Sequence, residues 1–566
     1  MGFLGSRNGS AVAIVLCLLI CFVGVWRPLW TPDEPREAEI SHEMLLSPGI
    51  VPTLNGRTFI EKPPLYYWSV ASVFSLTGNV SPTMARSVSA LASFLTLLIV
   101  FLWGRRECST AVGIVGALGM ATSERFLVSS HWVLSDPLLM LFTTAALWAG
   151  WELLRRGTVM AAAGFYGAMV LALWTKGLVG PVMIGAGLAA YCAVRFREAP
   201  WRRLRLFTGA AIMIAATGVL AAGIYVSDGA AAVREWFWVN HVLRFVHPEG
   251  TGHEGPIYYY LLAVPVALFP WWIPVLDSLR PSTWRIGSAG QAVRRYWGLM
   301  PLGMIVFLSL SVTKRELYLL PALPAIFLFV AAHAVDAWST VAANLRRSIR
   351  WWLQVGLSTV FTIGLVAAAA VYTHEASAAV IAYLVVATAA AAAAVYFGIR
   401  RRAVPALVSL ASLGVGGAVG LMGVVPAQLD SSKNMVPFLQ SVDEALPRDR
   451  IVYAVGHIDE TLEGIVPFTI CRRLIPLTSE EVASVRPPYV LVQDTAGGDN
   501  LPELPDSYVP LLVTTFGTER YMGLWQDTSE SRRNGGAAID AGLFGAESDP
   551  APRPGTCVNP ESEDGA

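Results

Sequence analysis

The sequence has little charge. Asp, Glu, Lys and Arg make up 14% of its 566 residues, whereas ordinary globular chains contain about 25%. The 41 basic and 41 acidic residues cancel, so the chain lacks the basic excess of a nucleic-acid-binding protein. The basic residues include four lysines, and the cysteines form no C-x-x-C metal-binding motif. This composition excludes a disordered chain, a coiled coil and a nucleic-acid partner.

Hydrophobic residues are abundant. They make up 54% of the chain, 19 residues are tryptophan, and mean hydropathy is +0.52. A helix needs about 17–25 apolar residues to cross a bilayer. Thirteen runs predict thirteen transmembrane helices, the first a retained helix rather than a cleaved signal peptide. The runs lie at 10–28, 84–104, 111–128, 137–154, 159–174, 178–195, 207–226, 257–276, 297–313, 317–336, 352–373, 377–398 and 403–426.

The arginines predict how the chain is oriented. With thirteen spans, Arg7 and six arginine-rich segments fall on one side, which the positive-inside rule assigns to the cytoplasm. This predicts a multi-pass protein of the cytoplasmic (inner) membrane, with its N-terminus inside and its C-terminus outside. The six segments are Arg105–Arg106, Arg155–Arg156, Arg195–Arg205, Arg280–Arg295, Arg346–Arg350 and Arg400–Arg402.

The C-terminal part has a different pattern. Its apolar runs shorten to strand length at 451–456, 489–494 and 508–516, after a helical pattern at 435–446. We therefore predict a polytopic α-helical membrane protein with about thirteen transmembrane helices and a small C-terminal extracytoplasmic α/β domain. The predicted divisions are a transmembrane domain with extracytoplasmic loops (1–426), the α/β domain (427–527) and a disordered tail (528–566).

The first predicted outer segment begins W-T-P-D-E-P-R-E-A-E. Asp33 and Glu34 lie at the membrane surface between two prolines, which restrict the backbone. A carboxylate there can act as a general base on a polar acceptor, so Asp33 is a catalytic candidate and Glu34 a substrate-binding candidate. The alternative is a solvated loop whose acidic residues begin a helix.

The second motif, F-I-E-K-P-P-L-Y-Y-W, covers residues 59–68. Lys62 can bind a phosphate headgroup, and Glu61 beside it can hold a divalent cation or orient the lysine. Tyr66 lies among aromatic residues typical of the membrane interface and is a substrate-binding candidate. The alternative is an interfacial turn with a local ion pair.

Two motifs at predicted helix ends add an acid and a base. H-W-V-L-S-D-P places Asp136 at the start of a span, as a second catalytic carboxylate or as part of a helix N-cap. L-W-T-K-G places Lys176 on the outer side, where an isolated ionisable group is a functional candidate.

Two further motifs carry basic and aromatic residues. N-H-V-L-R-F contains a histidine and an arginine at i,i+3 spacing, which share a face of a helix. T-K-R-E-L-Y-L-L-P-A-L-P offers groups that could meet a phosphate, although a short charged hairpin would have the same composition. The candidates are His241 and Arg244 in the first motif and Lys314, Arg315 and Tyr318 in the second.

All these motifs are predicted to lie on the outer face, at the ends of helices. Acids are present to activate an acceptor and bases to hold an anionic lipid headgroup, which favours group transfer from a lipid-phosphate donor. A lipid or solute transporter is the alternative, but it would more often carry charges near the bilayer midplane. A scaffold that displays the external domain is a third reading.

Together the motifs resemble those of the lipid-donor glycosyltransferases of the C superfamily, in particular the aminoarabinose lipid A transferases and the protein mannosyltransferases. The resemblance runs from about residue 20 to residue 525. It implies a polyprenyl-phosphate sugar donor and a membrane-embedded enzyme that acts on the outer face. The implied acceptors are a lipid A-like glycolipid, an envelope glycan or a protein.

The resemblance also implies roles for individual residues. Asp33 would be the general base that deprotonates the acceptor, and attack on the anomeric carbon would proceed with inversion. Positive groups would offset the charge on the leaving phosphate. The remaining assignments are Lys62, Arg244 and Lys176 to the donor phosphate, Asp136 to the catalytic centre, and Glu61 with His241 or His253 to a divalent metal ion.

Overall fold

The protein is described by a computed structural model in which long apolar helices precede a small sheet. It covers residues 6–30, 32–195, 200–246, 254–280, 289–373, 377–447, 451–494, 500–516 and 520–529. His253 and all but the first two residues of the predicted tail lie outside these ranges.

Each of the thirteen predicted apolar runs coincides with a helix or a helix pair. Within the described ranges, eight helices are long and apolar enough to cross a membrane. The number is nine if Thr110–Ala121 and Glu124–Ser130, which are bent by 67°, form one span. Arg7–Phe22 and Val179–Val194 are shorter apolar helices. The chain is therefore a multi-pass helical membrane protein, and the count of thirteen stays a prediction.

The α-helices before the sheet alternate with short turns. They are α1 (Arg7–Phe22), α2 (Glu34–Leu46), α3 (Leu65–Thr77), α4 (Pro82–Glu107), α5 (Thr110–Ala121), α6 (Glu124–Ser130), α7 (Asp136–Arg156), α8 (Val159–Lys176), α9 (Val179–Val194), α10 (Leu206–Arg234), α11 (Arg244–Val246), α12 (Tyr259–Ala267), α13 (Trp272–Ser278), α14 (Ala289–Leu310), α15 (Leu323–Ala343), α16 (Ile349–Thr359), α17 (Leu365–Tyr372), α18 (Ala378–Ile399), α19 (Ala403–Val419) and α20 (Val425–Lys433).

Helix α4 shows how the sequence sets these boundaries. The Ser81 hydroxyl accepts a hydrogen bond from the Met84 N–H, and Pro82 occupies the first helical turn, where its missing N–H costs nothing. Arg105 and Arg106 lie in the last turn, where cations favour the negative end of the helix dipole.

Helix α10 extends further than the sequence predicted. The predicted span ended at residue 226, but the helix continues past a kink at Gly229 (φ 78°) through the π-helical stretch Glu235–Leu243 into α11. Gly229 tolerates this positive φ because it has no Cβ. The continuation carries His241 and Arg244 on a rigid element.

The C-terminal sheet has five strands in the order β4-β3-β5-β7-β6. Strand β3 pairs in parallel with β4 and β5, whereas β7 pairs antiparallel with β5 and β6. The three predicted strands occur at their predicted bounds as β3, β5 and β6; the sequence did not predict β4 and β7. The elements are α21 (Val436–Ala445), β3 (Ile451–Gly456), α22 (Glu460–Ile470), β4 (Arg473–Pro476), α23 (Ser479–Val485), β5 (Tyr489–Asp494), β6 (Tyr508–Phe516) and β7 (Arg520–Asp527).

This α/β unit packs on the first predicted outer segment. Ile40 and Met44 of α2 share a buried apolar cluster with Leu462 and Ile465 of α22. A short hairpin of β1 (Thr53–Leu54) and β2 (Arg57–Thr58) lies between α2 and α3. The predicted boundary between residues 426 and 427 therefore separates two parts of the chain that bury apolar surface against each other.

Candidate active site

A charged cavity of about 400 Å³ gathers most of the predicted site residues. Five cationic side chains and three carboxylates line it, so its wall carries an excess of positive charge. Nine of the twelve candidates in the described ranges contribute: Asp33, Glu61, Lys62, Asp136, Lys176, His241, Arg244, Arg315 and Tyr318. Arg36 and Asn240 also line the cavity.

Asp33 occupies the N-cap position of α2, followed by Pro35 in the first helical turn. Its carboxylate turns toward two guanidinium groups rather than toward the helix N–H groups. Oδ1 accepts a hydrogen bond from Arg36 Nη2 at 2.9 Å and Oδ2 accepts one from Arg315 Nη2 at 2.9 Å. Prolines 32 and 35 thus hold a carboxylate at the cavity wall while leaving it available for cavity chemistry.

The electrostatics of Asp33 follow from these contacts. Burial alone would raise the pKa of the carboxyl, but Arg36, Arg315 and Lys62 outweigh burial and lower the pKa to about 2. Asp33 is therefore ionised at neutral pH, as a base must be. A carboxylate that is stabilised by three cations is also a weak base until one of them moves away.

The other two cavity carboxylates also have cationic partners. Asp136 begins α7 and accepts a hydrogen bond from Lys176 Nζ at 2.6 Å, and Glu61 accepts one from Arg244 Nη1 at 3.3 Å. Lys62 donates to the buried Glu37. In the resting site, the cations that a phosphate would need are held by carboxylates.

Two local features bring these residues together. Gly177 ends α8 with φ 71°, and a Cβ there would lie 2.1 Å from His241 Nε2. The glycine therefore allows the turn and the close approach of the histidine. Arg244 O accepts a hydrogen bond from Thr313 Oγ1 at 2.7 Å, which joins the N-H-V-L-R-F and T-K-R-E motifs.

The structure corrects the assignment of Glu34 as a substrate-binding residue. Its fully buried carboxylate accepts hydrogen bonds from Arg27, Arg86 and the backbone N–H groups of Trp30 and Val133. Burial alone would raise the pKa of Glu34, but Arg27 and Arg86 lower it to about 2. Glu34 therefore fixes the start of α2 to the neighbouring helices instead of facing the cavity.

Lys314 and Tyr66 are also misassigned by the sequence. Lys314 is buried, and its ammonium group donates to the backbone oxygens of Leu308, Ser309 and Ser311 at the end of α14. The last carbonyls of a helix have no partners within the helix, so a cation stabilises them. Tyr66 is buried with its hydroxyl 3.4 Å from Ser89 Oγ. Neither position leaves a polar group for substrate.

Two of the predicted metal ligands, Glu61 and His241, have protein partners in the structure, and the third, His253, lies outside the described residues. The Glu61 carboxylate faces the Arg244 guanidinium, and His241 Nδ1–H donates to Trp236 O at 2.7 Å. No cluster of three or more His, Cys, Asp or Glu side chains suited to a metal ion occurs in the described ranges. A cation at Glu61 would compete directly with Arg244, so the chemistry below includes no metal.

The sequence also missed a contribution from the α/β unit. Glu460, in the first turn of α22, accepts a hydrogen bond from Arg36, the residue that also contacts Asp33. Thr461 Oγ1 donates to Pro32 O at 3.0 Å. The i,i+3 spacing of Asp33 and Arg36 was a signal that could have been found, whereas Glu460 lies 424 residues from its partner.

Comparison with known proteins shows what the chain is similar to. A family model described as "Dolichyl-phosphate-mannose-protein mannosyltransferase" matches residues 9–206. A crystal structure of ArnT from Cupriavidus metallidurans bound to undecaprenyl phosphate has the same fold, with a TM-score of 0.70, 21% identity, and coverage of 92% of this chain and 98% of that one. Its apo form gives a TM-score of 0.66 at 20% identity, covering 91% and 97%. The chain therefore shares the fold of these structures, and its first third is similar to the mannosyltransferase family.

Two curated relatives carry the same name. An "undecaprenyl phosphate-alpha-4-amino-4-deoxy-L-arabinose arabinosyl transferase" of Edwardsiella ictaluri is 30% identical over 374 residues, which are 63% of this chain and 64% of the relative. The protein of the same name from Pectobacterium carotovorum is 28% identical over 468 residues, covering 78% and 80%. The chain thus spans somewhat less than two thirds of the first relative and four fifths of the second.

Proposed function

We propose that the protein transfers a sugar from a polyprenyl-phosphate-linked donor to an acceptor at the outer face of the cytoplasmic membrane. The observation that carries this proposal is the charged cavity, in which Asp33 lies among cations suited to a lipid phosphate. The names of the relatives favour an undecaprenyl-phosphate-linked 4-amino-4-deoxy-L-arabinose as donor. The acceptor in this proposal is a lipid A-like glycolipid, as the resemblance of the sequence motifs implies. Nothing in the relatives supports a transporter.

The topology is part of the proposal. The N-terminus lies in the cytoplasm, while the charged cavity and the α/β unit of residues 427–527 lie outside. Two features support this arrangement: the arginine-rich connections fall on the opposite side from the cavity motifs in a thirteen-span count, and α22 contacts the Asp33 loop.

The donor phosphate lies against Lys62, Lys176 and Arg244, which release Glu37, Asp136 and Glu61 to bind it. Arg315, whose side chain is 31% exposed, turns from Asp33 toward the phosphate. Loss of one adjacent cation raises the basicity of Asp33. Binding of the donor phosphate therefore activates the base.

Transfer then follows in one displacement. Asp33 takes the proton from the acceptor hydroxyl or amine, whose oxygen or nitrogen forms a bond to the anomeric carbon. The bond from that carbon to the phosphate oxygen breaks with inversion, and the electron pair leaves with polyprenyl phosphate. The cavity cations stabilise the charge that develops on the leaving group.

The direct test uses purified protein, undecaprenyl-phosphate aminoarabinose and lipid A, with products measured by mass spectrometry. Wild type should add one aminopentose to the acceptor, and Asp33→Asn should not do so at a comparable rate. Asp228→Asn is the matched control because Asp228 is exposed and contacts Thr58 rather than the cavity. Equal transfer by wild type and Asp33→Asn would refute the catalytic proposal.

A further inference from the structure

A second cavity, the apolar groove, lies within the membrane region, between earlier helices and two of the last helices before the sheet. Its volume is about 260 Å³. One wall consists of α5, α13 and α15, and the other of α16 and α19. Aliphatic and aromatic side chains dominate the walls, among them Leu118, Phe327, Val330, Leu410 and Val415.

The shape of the groove matches a hydrocarbon chain. Along α15 it runs from Phe327 to Val341, a rise of about 21 Å at 1.5 Å per residue. Half of a bilayer's hydrocarbon core is about 15 Å deep. The groove is therefore deep enough to hold an acyl chain across one leaflet, and it begins on α15 beyond the residues that line the charged cavity.

One end of the groove is polar. Asp277 contacts Arg280 at 2.9 Å and Arg350 at 3.3 Å, so two guanidinium groups face one carboxylate. The side chains of Arg280 and Arg350 are 53% and 37% exposed. Guanidinium groups bind phosphate in bidentate geometry, and basic pockets between transmembrane helices on the cytoplasmic side suit anionic headgroups.

A buried polar atom lies one helical turn further in. Gln354 follows Arg350 at i,i+4 and lines the groove, with 6% of its surface exposed. Its amide nitrogen donates to Pro270 O at 3.0 Å and Ser358 Oγ at 3.1 Å. Its amide oxygen has no hydrogen-bond partner among the described residues. A hydroxyl near the headgroup of a lipid would satisfy this acceptor.

We propose that the groove binds one anionic glycerophospholipid of the cytoplasmic leaflet. An acyl chain lies along α15, and the phosphate contacts Arg280 and Arg350. The assignment of the leaflet rests on the topology proposed above, with the arginine-rich ends in the cytoplasm. Helices α16 and α19 form one wall of the groove, and α5 and α15 form the other. The lipid therefore joins α16 and α19 to α5 and α15 and stabilises the packing between them.

The experiment measures lipid bound to the full-length, delipidated protein in neutral detergent. Dioleoylphosphatidylglycerol or dioleoylphosphatidylcholine is added at equal concentration, and retained lipid is counted by native mass spectrometry with Tm recorded in parallel. Wild type should retain one phosphatidylglycerol, gain Tm with it, and retain phosphatidylcholine at least tenfold less. Asp33→Asn should retain phosphatidylglycerol as wild type does, so failure of the transferase proposal and failure of this one are distinguishable.

Substitutions in the apolar wall and at the charged end test the two halves of the site separately. Ala411→Phe fills the apolar wall on α19 and should lower phosphatidylglycerol retention at least tenfold; Ala334→Phe does the same from α15 if the first variant does not fold. Arg350→Gln should abolish the preference between the two headgroups. Arg156→Gln is a matched change at the end of α7, where Arg156 pairs with Glu152. It should leave both the retention of phosphatidylglycerol and the preference between headgroups unchanged.

Three outcomes would overturn the proposal. Unchanged retention in folded Ala411→Phe and Ala334→Phe would show that the lipid binds elsewhere. Equal retention of both headgroups by wild type would remove the phosphate contact. Displacement of phosphatidylglycerol by an equimolar amount of undecaprenyl phosphate would show that the groove belongs to the donor lipid.

Discussion

The charged cavity and the apolar groove differ in how their polar groups are arranged. In the cavity, acidic and basic side chains pair around an open volume, and the proposed base Asp33 accepts hydrogen bonds from Arg36 and Arg315. In the groove, charge is confined to one end, around Asp277. A surface of paired charges can exchange partners with a phosphate, whereas an apolar wall with a charged end holds a lipid in place. The first arrangement suits turnover and the second suits stability.

The largest expected effect is the loss of the base. Asp33→Asn keeps the shape of the side chain and removes its basicity, so kcat should fall about a hundredfold to ten-thousandfold. Donor binding should survive because the phosphate contacts are made by other residues. Single-turnover transfer and donor binding, measured on the same preparation, check this expectation. A variant with normal kcat would assign the base role to another group, with Asp136 the next candidate.

Lys62→Ala should mainly weaken the donor interaction. A hydrogen bond to a charged group contributes about 1.5–3 kcal/mol, so kcat/KM for the donor should fall roughly tenfold to a hundredfold. Lys62→Arg should restore part of it because the charge is kept. Lys433→Ala is the control for a general loss of charge, because Lys433 lies at the end of α20 and outside the cavity lining. Equal donor kinetics in the two alanine variants would exclude the phosphate contact.

The pH dependence distinguishes a base that is always ready from one that donor binding activates. Before donor binds, the pKa of Asp33 is about 2, so kcat/KM should show no acidic limb above pH 4. With donor bound and Arg315 drawn to the phosphate, the pKa rises, and kcat should fall at a pH at least about one unit higher. Superimposable limbs for kcat and kcat/KM would contradict activation by the donor.

The same depression of the pKa has a consequence for stability. The ordinary pKa of an aspartate is 3.8, and Asp33 is lowered to about 2. The ion pairs of Asp33 therefore stabilise the native state above pH 4 and lose this contribution as pH falls toward 2. Arg315→Gln should weaken this stabilisation and also move the acidic limb of the kcat/KM profile to higher pH.

Contacts from the α/β unit should have a smaller effect on rate. Glu460 is 47% exposed, and ion pairs of that kind contribute about 0.2–1 kcal/mol, so Glu460→Gln should lower kcat/KM by about fivefold or less. Glu460→Asp should recover part of the loss. Glu463→Gln changes the same helix, where Glu463 lies 3.8 Å from Arg57, and should have no effect. Equal rates for the two glutamine variants would leave Glu460 without a positioning role.

How far the sequence predicts this site depends on the range of the interactions. Hydropathy and motif spacing predicted the helices, three strands and the gathering of Asp33, Lys62, Asp136, Lys176 and Arg244, because each motif lies at a helix end on one predicted side. These sequence patterns do not predict the direction in which each side chain points. Neighbouring residues Asp33 and Glu34 differ because α2 turns one carboxylate to the cavity and the other to Arg86. The contact from Glu460 depends on how α22 packs, and no local pattern encodes it.

Lys314 and Arg315 offer the smallest and sharpest comparison. The sequence places both near the phosphate, but Lys314 donates to three backbone oxygens at the end of α14, whereas Arg315 reaches Asp33 at 2.9 Å. Lys314→Gln should therefore cost roughly 1–3 kcal/mol of stability and lower Tm while KM for the donor stays unchanged. Arg315→Gln should change the kinetics with less effect on Tm. If Lys314→Gln raised the donor KM at an unchanged Tm, its ammonium group would have to face the cavity during turnover, and the structural role would be wrong.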